Sequence, residues 1–328
     1  MNDVNSCKHE ETDLSQSAAA VKKLKTSVTT TVYAASGSNL YGFYDWQAAA
    51  MADPSLQGFF LTSIKAGRLG DCPFSYKEWD WRNASARDYF VDKIVGPWVK
   101  NDAVDAIFID EGDAVMCRNQ TGLPTEEMFK WANGSFEVYR RSAASLAAVN
   151  KRLVLSLKNG YVGAEPEEPK VPACPVPYDA VVEYMQPVPW IRYHEYFGTL
   201  EESQKSTMCH NLMATAVKES ATENLAFSAH GGNYTASTTL ELTFAMFMVA
   251  RNATAGGEMD YYGWSTAPYW YSRDWKYNET AALFNQDYGE ALGPPMRDGQ
   301  VWSRRYQRAT FSVDCQHVAP TITLRAAA

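Results

Sequence analysis

The apolar positions of this chain follow two alternating rhythms. Short runs rich in β-branched and other apolar residues lie at 27–34, 103–110, 152–157, 179–185, 224–230 and 259–264, the signature of strands. Between them, apolar residues recur at helical spacing. Residues 85–100 put Tyr89, Phe90, Ile94 and Trp98 on one face, with Ser85 as the expected N-cap. Residues 125–149 put Met128, Ala132, Phe136, Tyr139, Ala143 and Leu146 on one face behind an acidic first turn of Glu126 and Glu127. Further helices are expected at 17–25, 201–219 and 238–251, and a disordered tail at 1–16. Residues 58–63 form a short extended run within a long loop region that also holds Gly67, Gly70, Cys72 and Pro73, and a Pro-rich loop (Pro166 to Pro177) leads into 179–185.

Strand, helix, strand in repeating order predicts parallel βαβ units. The strands are near-continuous apolar runs, as expected when both faces are covered. Each finishes on a polar or aromatic residue: Asp110, Lys158 with Asn159, Glu183, His230 and Trp264. In a parallel barrel those ends meet at one mouth, where active sites sit. A doubly wound sheet is the competing architecture, but no Gly-rich phosphate loop follows any strand. The expectation is therefore an α/β fold with a TIM (β/α)8-type barrel. Six strands are two short of a full barrel, and the shortage lies before residue 27, so the chain is expected to lack the first strand-helix units. The expected organisation is a disordered tail and helix at 1–26, a barrel domain at 27–314 with a closing C-terminal segment, and a tail at 315–328.

Charge and composition narrow the partners. A net charge of −8 without a Lys/Arg-rich run argues against nucleic acid and against an anionic membrane surface. No apolar stretch is long enough to span a membrane. Ten Trp and nineteen Tyr, many beside Gly, Asp or Asn, lean towards a carbohydrate partner, because flat aromatic faces suit sugar C–H surfaces; the alternative is that they are large core fillers with a polar tip. Asn-x-Ser/Thr sequons at Asn83, Asn119, Asn133, Asn233, Asn252 and Asn278 suggest a secreted glycoprotein. Six cysteines (Cys7, Cys72, Cys117, Cys174, Cys209, Cys315) show no metal-binding spacing, so no zinc site is expected, and their even number is compatible with disulfides. Residues 1–16 are polar and lack the apolar stretch of a signal peptide, which again points to an incomplete N-terminus.

Candidate chemistry concentrates at the strand ends. Asp110 is followed by Glu111 and Asp113, and crowded carboxylates separate their pKa values. Cleavage of a glycosidic bond needs two carboxyls, one ionised and one protonated. Asp110 and Glu183 can supply that catalytic pair. The plainer readings are that Asp110 caps a loop and that Glu183 is the structural partner of an arginine such as Arg192. The segment 79–83 (Trp-Asp-Trp-Arg-Asn) could line a sugar subsite through Asp80 and Trp81; equally, Asp80 caps and Trp81 packs. Tyr33, Glu111, Asp113, Asn159, His230, Tyr262 and Trp264 complete the candidate substrate-binding set.

These residues also resemble a known group. Tyr76-x-x-x-Asp80-Trp-Arg-Asn83, then Arg87, then Val104-Asp-Ala-Ile-Phe-Ile-Asp110 resembles the D-x-x-N, R, VDGIFxD run of largely uncharacterised glycoside-hydrolase-like TIM-barrel families. Segments 288–296, 301–308 and 311–314 resemble their closing segment. The resemblance spans roughly 28–313 and departs at Ala106 and Ala309, where those families have Gly. It implies a barrel acting on glycosidic bonds, with Asp110 as a catalytic or substrate-binding acid.

The expected function is a glycoside hydrolase acting on O-glycosidic bonds by a two-carboxylate mechanism, without a cofactor. The alternatives are a non-catalytic carbohydrate-binding barrel and a metal-dependent hydrolase using Asp110, Glu111, Asp113 and His230. No Gly-x-Ser-x-Gly nucleophile elbow is present, which disfavours acyl transfer.

Overall fold

The structure is a computed structural model that describes residues 10–35, 45–61, 65–69, 72–76, 78–110, 123–156, 190–197, 202–220, 224–230, 237–251, 261–264, 283 and 286–325. The chain divides into two compact units, the first comprising Met1–Leu157 and Glu167–Ile191, the second Lys158–Pro166 and Arg192–Ala328.

In the first unit, α1 (Glu10–Leu24) precedes β1 (Thr31–Ala35). The helix starts earlier than the expected 17 because its polar first turns find partners. Glu11 accepts the Trp46 backbone N–H at 3.1 Å, and Ser15 Oγ accepts from Asn101 at 2.8 Å. After α2 (Asp45–Ala52) and a 3-10 turn (Pro54–Phe59), β2 (Lys65–Leu69) and β3 (Cys72–Tyr76) form an antiparallel hairpin where a loop was expected. The extended run expected at 58–63 survives as a bridge between Phe60 and Trp79.

The expected helix at 85–100 is present with two differences. Its cap is Asn83 rather than Ser85, since Asn83 Oδ1 accepts the Ser85 N–H at 3.0 Å. It also changes pitch, running as α3 (Ala84–Tyr89), a π segment (Phe90–Val95) and α4 (Gly96–Val99). Pro97 supplies the reason. It has no N–H and its ring crowds the carbonyl four residues back, and the turn widens so that the Gly96 N–H reaches Val91 O.

β4 (Ala106–Asp110) then lies parallel to β1, and β5 (Arg152–Ser156) lies parallel to β4. One sheet face carries Val32, Ala34, Ile107, Ile109, Leu153 and Leu155, all at most 3% exposed. α5 (Thr125–Ala147) buries the six residues that its periodicity predicts. The helix stops at Asn150, which takes φ 59° and lets the Lys151 N–H reach back to Leu146 O at 2.9 Å. Gly134 weakens the helix locally, but a Cβ there would lie 1.9 Å from Trp81 O, so only glycine admits that backbone.

The second unit contains most of β6 (Trp190–Phe197), then α6 (Glu202–Ser220), β7 (Asn224–His230), α7 (Ser237–Ala250) and β8 (Tyr261–Trp264). β7 and β8 pair in parallel. β6 is a strand that the apolar pattern did not announce; the strand expected at 179–185 lies outside the described residues. The closing segment is an antiparallel sheet of β9 (Met296–Asp298), β10 (Val301–Arg305), β11 (Ala309–Asp314) and β12 (Ala319–Leu324), in the order β12-β11-β10-β9. The tail expected at 315–328 is corrected accordingly, because β12 pairs along β11 from Ala319 to Leu324. Ala309, Phe311 and Val313 alternate onto the buried face, where the Phe311 ring meets Tyr288 at 4.9 Å and Tyr306 at 5.4 Å. A disulfide joins the buried Cys209 and Cys315. Among the described residues no helix is long and apolar enough to cross a membrane.

Candidate active site

Parallel neighbours require a returning connection, so the N-termini of α3 and α5 lie at the end of the sheet where the strands finish. Lys151 fixes the opposite end. From the start of β5 its ammonium donates to the carbonyls of Trp98, Val99 and Asn101, at the end of α4, at 3.0, 2.9 and 2.7 Å. Below the strand starts, Asp105 accepts from the Thr30 N–H at 2.7 Å and pairs with Lys22. Burial pushes the Asp105 carboxyl up, but Lys22 and Thr30 outweigh it and hold it below the ordinary carboxylate value.

At the finishing end, Asp110 closes β4 in register with Ala35 of β1. Two register pairs earlier, Tyr33 meets Phe108, with ring centroids 5.6 Å apart at an interplanar angle of 61°. Both rings are half-buried. Phe108 was missed from the sequence, although its place two residues before Asp110 in a strand was the available signal.

The segment 79–83 lies beside the N-terminus of α3 and does not supply the expected sugar platform. Trp81 is fully buried; it stacks on Trp79 at 5.7 Å and meets the edge of Phe90 at 5.2 Å, and Gly134 closes over its backbone. Its ring offers no face to a ligand, and it is corrected to a core residue. Neighbouring Trp131 donates its indole N–H to Trp79 O at 2.7 Å, tying α5 to this cluster. Asp80 is engaged on both oxygens by Arg82, through Nε and NH2 at 2.7 Å each. Arg82 in turn reaches Glu127 in the first turn of α5 at 2.7 Å. Asp80, aided by Glu127, holds the Arg82 guanidinium above its ordinary pKa against the opposing effect of burial. Lys130 first, then Arg82, lowers the Glu127 carboxyl. Asp80 therefore anchors an ion-pair chain between two helix starts.

Of the remaining expected site residues, Glu183, Glu111, Asp113 and Asn159 lie outside the described residues. In the second unit, His230 ends β7 and Trp264 ends β8, and the register pairs Ala229 with Trp264 and Phe227 with Tyr262. The two strands thus carry His230 and Trp264 to adjacent ends, with Tyr262 two register pairs inside.

No protein-family model and no curated protein matches the chain. Among solved structures it is similar to Aspergillus fumigatus Ega3 in complex with galactosamine, at 15% identity over 70% of this chain and 73% of that one, with a TM-score of 0.37. It is also similar to the glycoside hydrolase domain of PelA from Pseudomonas aeruginosa, at 16% identity over 66% of this chain and 83% of that one, with a TM-score of 0.33. A third likeness is to the GH20 exo-β-N-acetylglucosaminidase of Vibrio harveyi in complex with N-acetylglucosamine, at 7% identity over 66% of this chain and 28% of that one, with a TM-score of 0.32.

Proposed function

We propose that this chain is a glycoside hydrolase that cleaves O-glycosidic bonds of a glycan with two carboxylates, Asp110 and Glu183. The observation that carries the reading is the position of Asp110, at the finishing end of β4 within the parallel β1-β4-β5 ladder, in register with an alanine and two register pairs beyond Tyr33–Phe108. One face of β1, β4 and β5 is closed to solvent at Val32, Ala34, Ile107, Ile109, Leu153 and Leu155. Period-two alternation puts position 110 on the other face, with positions 33 and 108. The finishing ends of parallel strands are where α/β enzymes build their sites, and the (β/α)8-type barrel over 27–314 belongs to the same proposal.

In this reading one of the two carboxyls is protonated and releases the leaving oxygen, while the other attacks or activates water. His230, Tyr262, Trp264, Asn159, Glu111 and Asp113 are proposed to hold the glycan. The buried disulfide supports a protein that matures in an oxidising, secretory compartment.

The test is hydrolysis of a broad panel of glycans and aryl glycosides by protein from a secretory host, beside Asp110→Asn and Glu183→Gln. The proposal expects activity on at least one sugar and its loss by roughly 1000-fold or more in each variant, with unchanged circular dichroism. Glycan binding without hydrolysis would instead make the chain a carbohydrate-binding barrel.

A further inference from the structure

α5 carries a motif that the glycosidase reading leaves unused, the sequon Asn133-Gly134-Ser135. Packing accounts for two of its three residues. Gly134 is required by the close approach of Trp81 O, and Ser135 is fully buried, its hydroxyl donating to Ala132 O at 2.7 Å. Packing does not account for Asn133. It lies on the solvent stripe of the helix with Lys130, Arg140 and Ala144, all exposed, and among the described residues its side chain has no hydrogen-bond or ion-pair partner. Asparagine is one of the weaker helix formers, because its amide competes for nearby backbone groups, and at mid-helix it caps nothing. What this position offers is the free amide itself. The other sequon among the described residues differs. Asn83 is partly buried, its Oδ1 caps α3 by accepting the Ser85 N–H, and its Nδ2 donates to Gly58 O at 3.0 Å. That asparagine is explained by what it holds.

We infer that Asn133 is an N-glycosylation site and that its glycan is attached before α5 forms. The inference goes beyond the glycosidase reading and rests only on the secretory maturation proposed with it. The donor class is an oligosaccharide carried on a polyisoprenoid pyrophosphate. Asn133 Nδ2 attacks the anomeric carbon of the first N-acetylhexosamine, the C–O bond to the pyrophosphate breaks, the lipid pyrophosphate leaves, and Nδ2 gives up one proton. The order of events follows from Ser135. Recognition of Asn-x-Ser/Thr needs the hydroxyl at the third position, and in the folded helix that hydroxyl is sealed and donates to Ala132 O. Before folding it is free, and Gly134 disfavours helix in the nascent chain. After folding the sugar projects from the solvent stripe and costs α5 no native contact.

In the experiment the full chain is secreted from a eukaryotic host behind a leader peptide, and the tryptic peptide 131–140, in which Asn133 is the one asparagine, is read as an intact glycopeptide. The expected result is a hexosamine-linked glycan on that peptide, absent from Asn133→Gln, which is secreted at comparable yield. The timing is read on chain made under tunicamycin, which blocks donor synthesis. Once folded, that chain is offered oligosaccharyltransferase and the lipid-linked donor, beside a synthetic peptide 131–140. Transfer to the peptide and none to position 133 of the folded chain is expected. A secreted chain that holds the Cys209–Cys315 bond but leaves peptide 131–140 bare overturns the inference and leaves secretory maturation standing. Transfer to Asn133 of the folded chain as readily as to the peptide overturns the stated order. A chain retained by the host without that disulfide overturns secretory maturation, and the inference falls with it.

Discussion

A lysine does for a helix end in the first unit what an arginine and a tyrosine do in the second. Lys151 donates to three carbonyls at the end of α4. At the end of α7, Arg304 donates to the carbonyls of Val249 and Arg251, and Tyr306 to that of Met248. Both solutions answer the same need, because the last carbonyls of a helix have no partner within it. They differ in where the donor comes from. Lys151 comes from the start of a strand in the parallel ladder that carries Asp110, whereas Arg304 and Tyr306 come from an antiparallel sheet; the donors lie 50 to 53 and 53 to 58 residues beyond their carbonyls, so the reach along the chain is similar. The second unit then adds a covalent tie across a sequence separation of 106.

The largest break in this comparison should come from replacing both Cys209 and Cys315 with Ala. Constraining a loop of this length in the unfolded chain is worth on the order of 4–5 kcal/mol, and denaturant titration should show a loss of that order. A loss under about 1 kcal/mol would mean that packing of Phe311 and its neighbours closes the unit without the bond. Next comes Lys151→Met, which keeps the apolar stem but strands three carbonyls among buried residues. The expected loss is about 2–4 kcal/mol by the same titration, and an unchanged midpoint would show that water or a local shift replaces the ammonium.

The smallest effect distinguishes the units by pH. In the second unit Trp302 donates its indole N–H to His210 Nδ1 at 3.3 Å, and Arg297 lies over the Trp302 ring at 5.5 Å. Burial, with Arg297 second, holds the His210 imidazole below its ordinary value of 6.5. The folded state then binds fewer protons than the unfolded one. The stabilising contribution is complete above pH 6.5 and is lost as pH falls from there through the folded pKa. In the first unit the lowered Asp105 carboxyl contributes above its ordinary 3.8 and is lost only as pH falls through its still lower folded value. Urea midpoints between about pH 5 and 7 should therefore fall slightly in wild type, by under about 1 kcal/mol, and stay flatter in His210→Gln. Parallel slopes for the two proteins would remove His210 from the account.

Much of the first unit was legible because its signals are local. The six-residue stripe of α5, the strand ending at Asp110 and the helix leading into it each follow from period alone. Pro97 conceals the π segment from a strict helical period, and Asn83 displaces Ser85 as cap because capping depends on one residue's backbone conformation rather than on residue type. The β2–β3 hairpin was lost among glycines and a proline, where no apolar alternation announces strands. In the second unit, β12 looked like a tail because Ala319-Pro-Thr-Ile-Thr-Leu324 is weakly apolar and gains its structure from β11, an edge pairing that periodicity does not encode. The site divides in the same way. Asp110 and Tyr33 were readable as strand-end positions. Trp81 was not, because an indole in a polar segment looks the same whether it faces a ligand or, as here, stacks beneath Gly134.

The two-carboxylate mechanism meets its most direct test in the pH dependence of kcat/KM for wild type, Asp110→Asn and Glu183→Gln on one cleaved glycan. Two essential carboxyls, one ionised and one protonated, give a bell-shaped profile. The account predicts that bell in the wild type, with the residual activity of each variant losing one limb. A bell that persists unchanged in Asp110→Asn would contradict it and move the chemistry away from the end of β4.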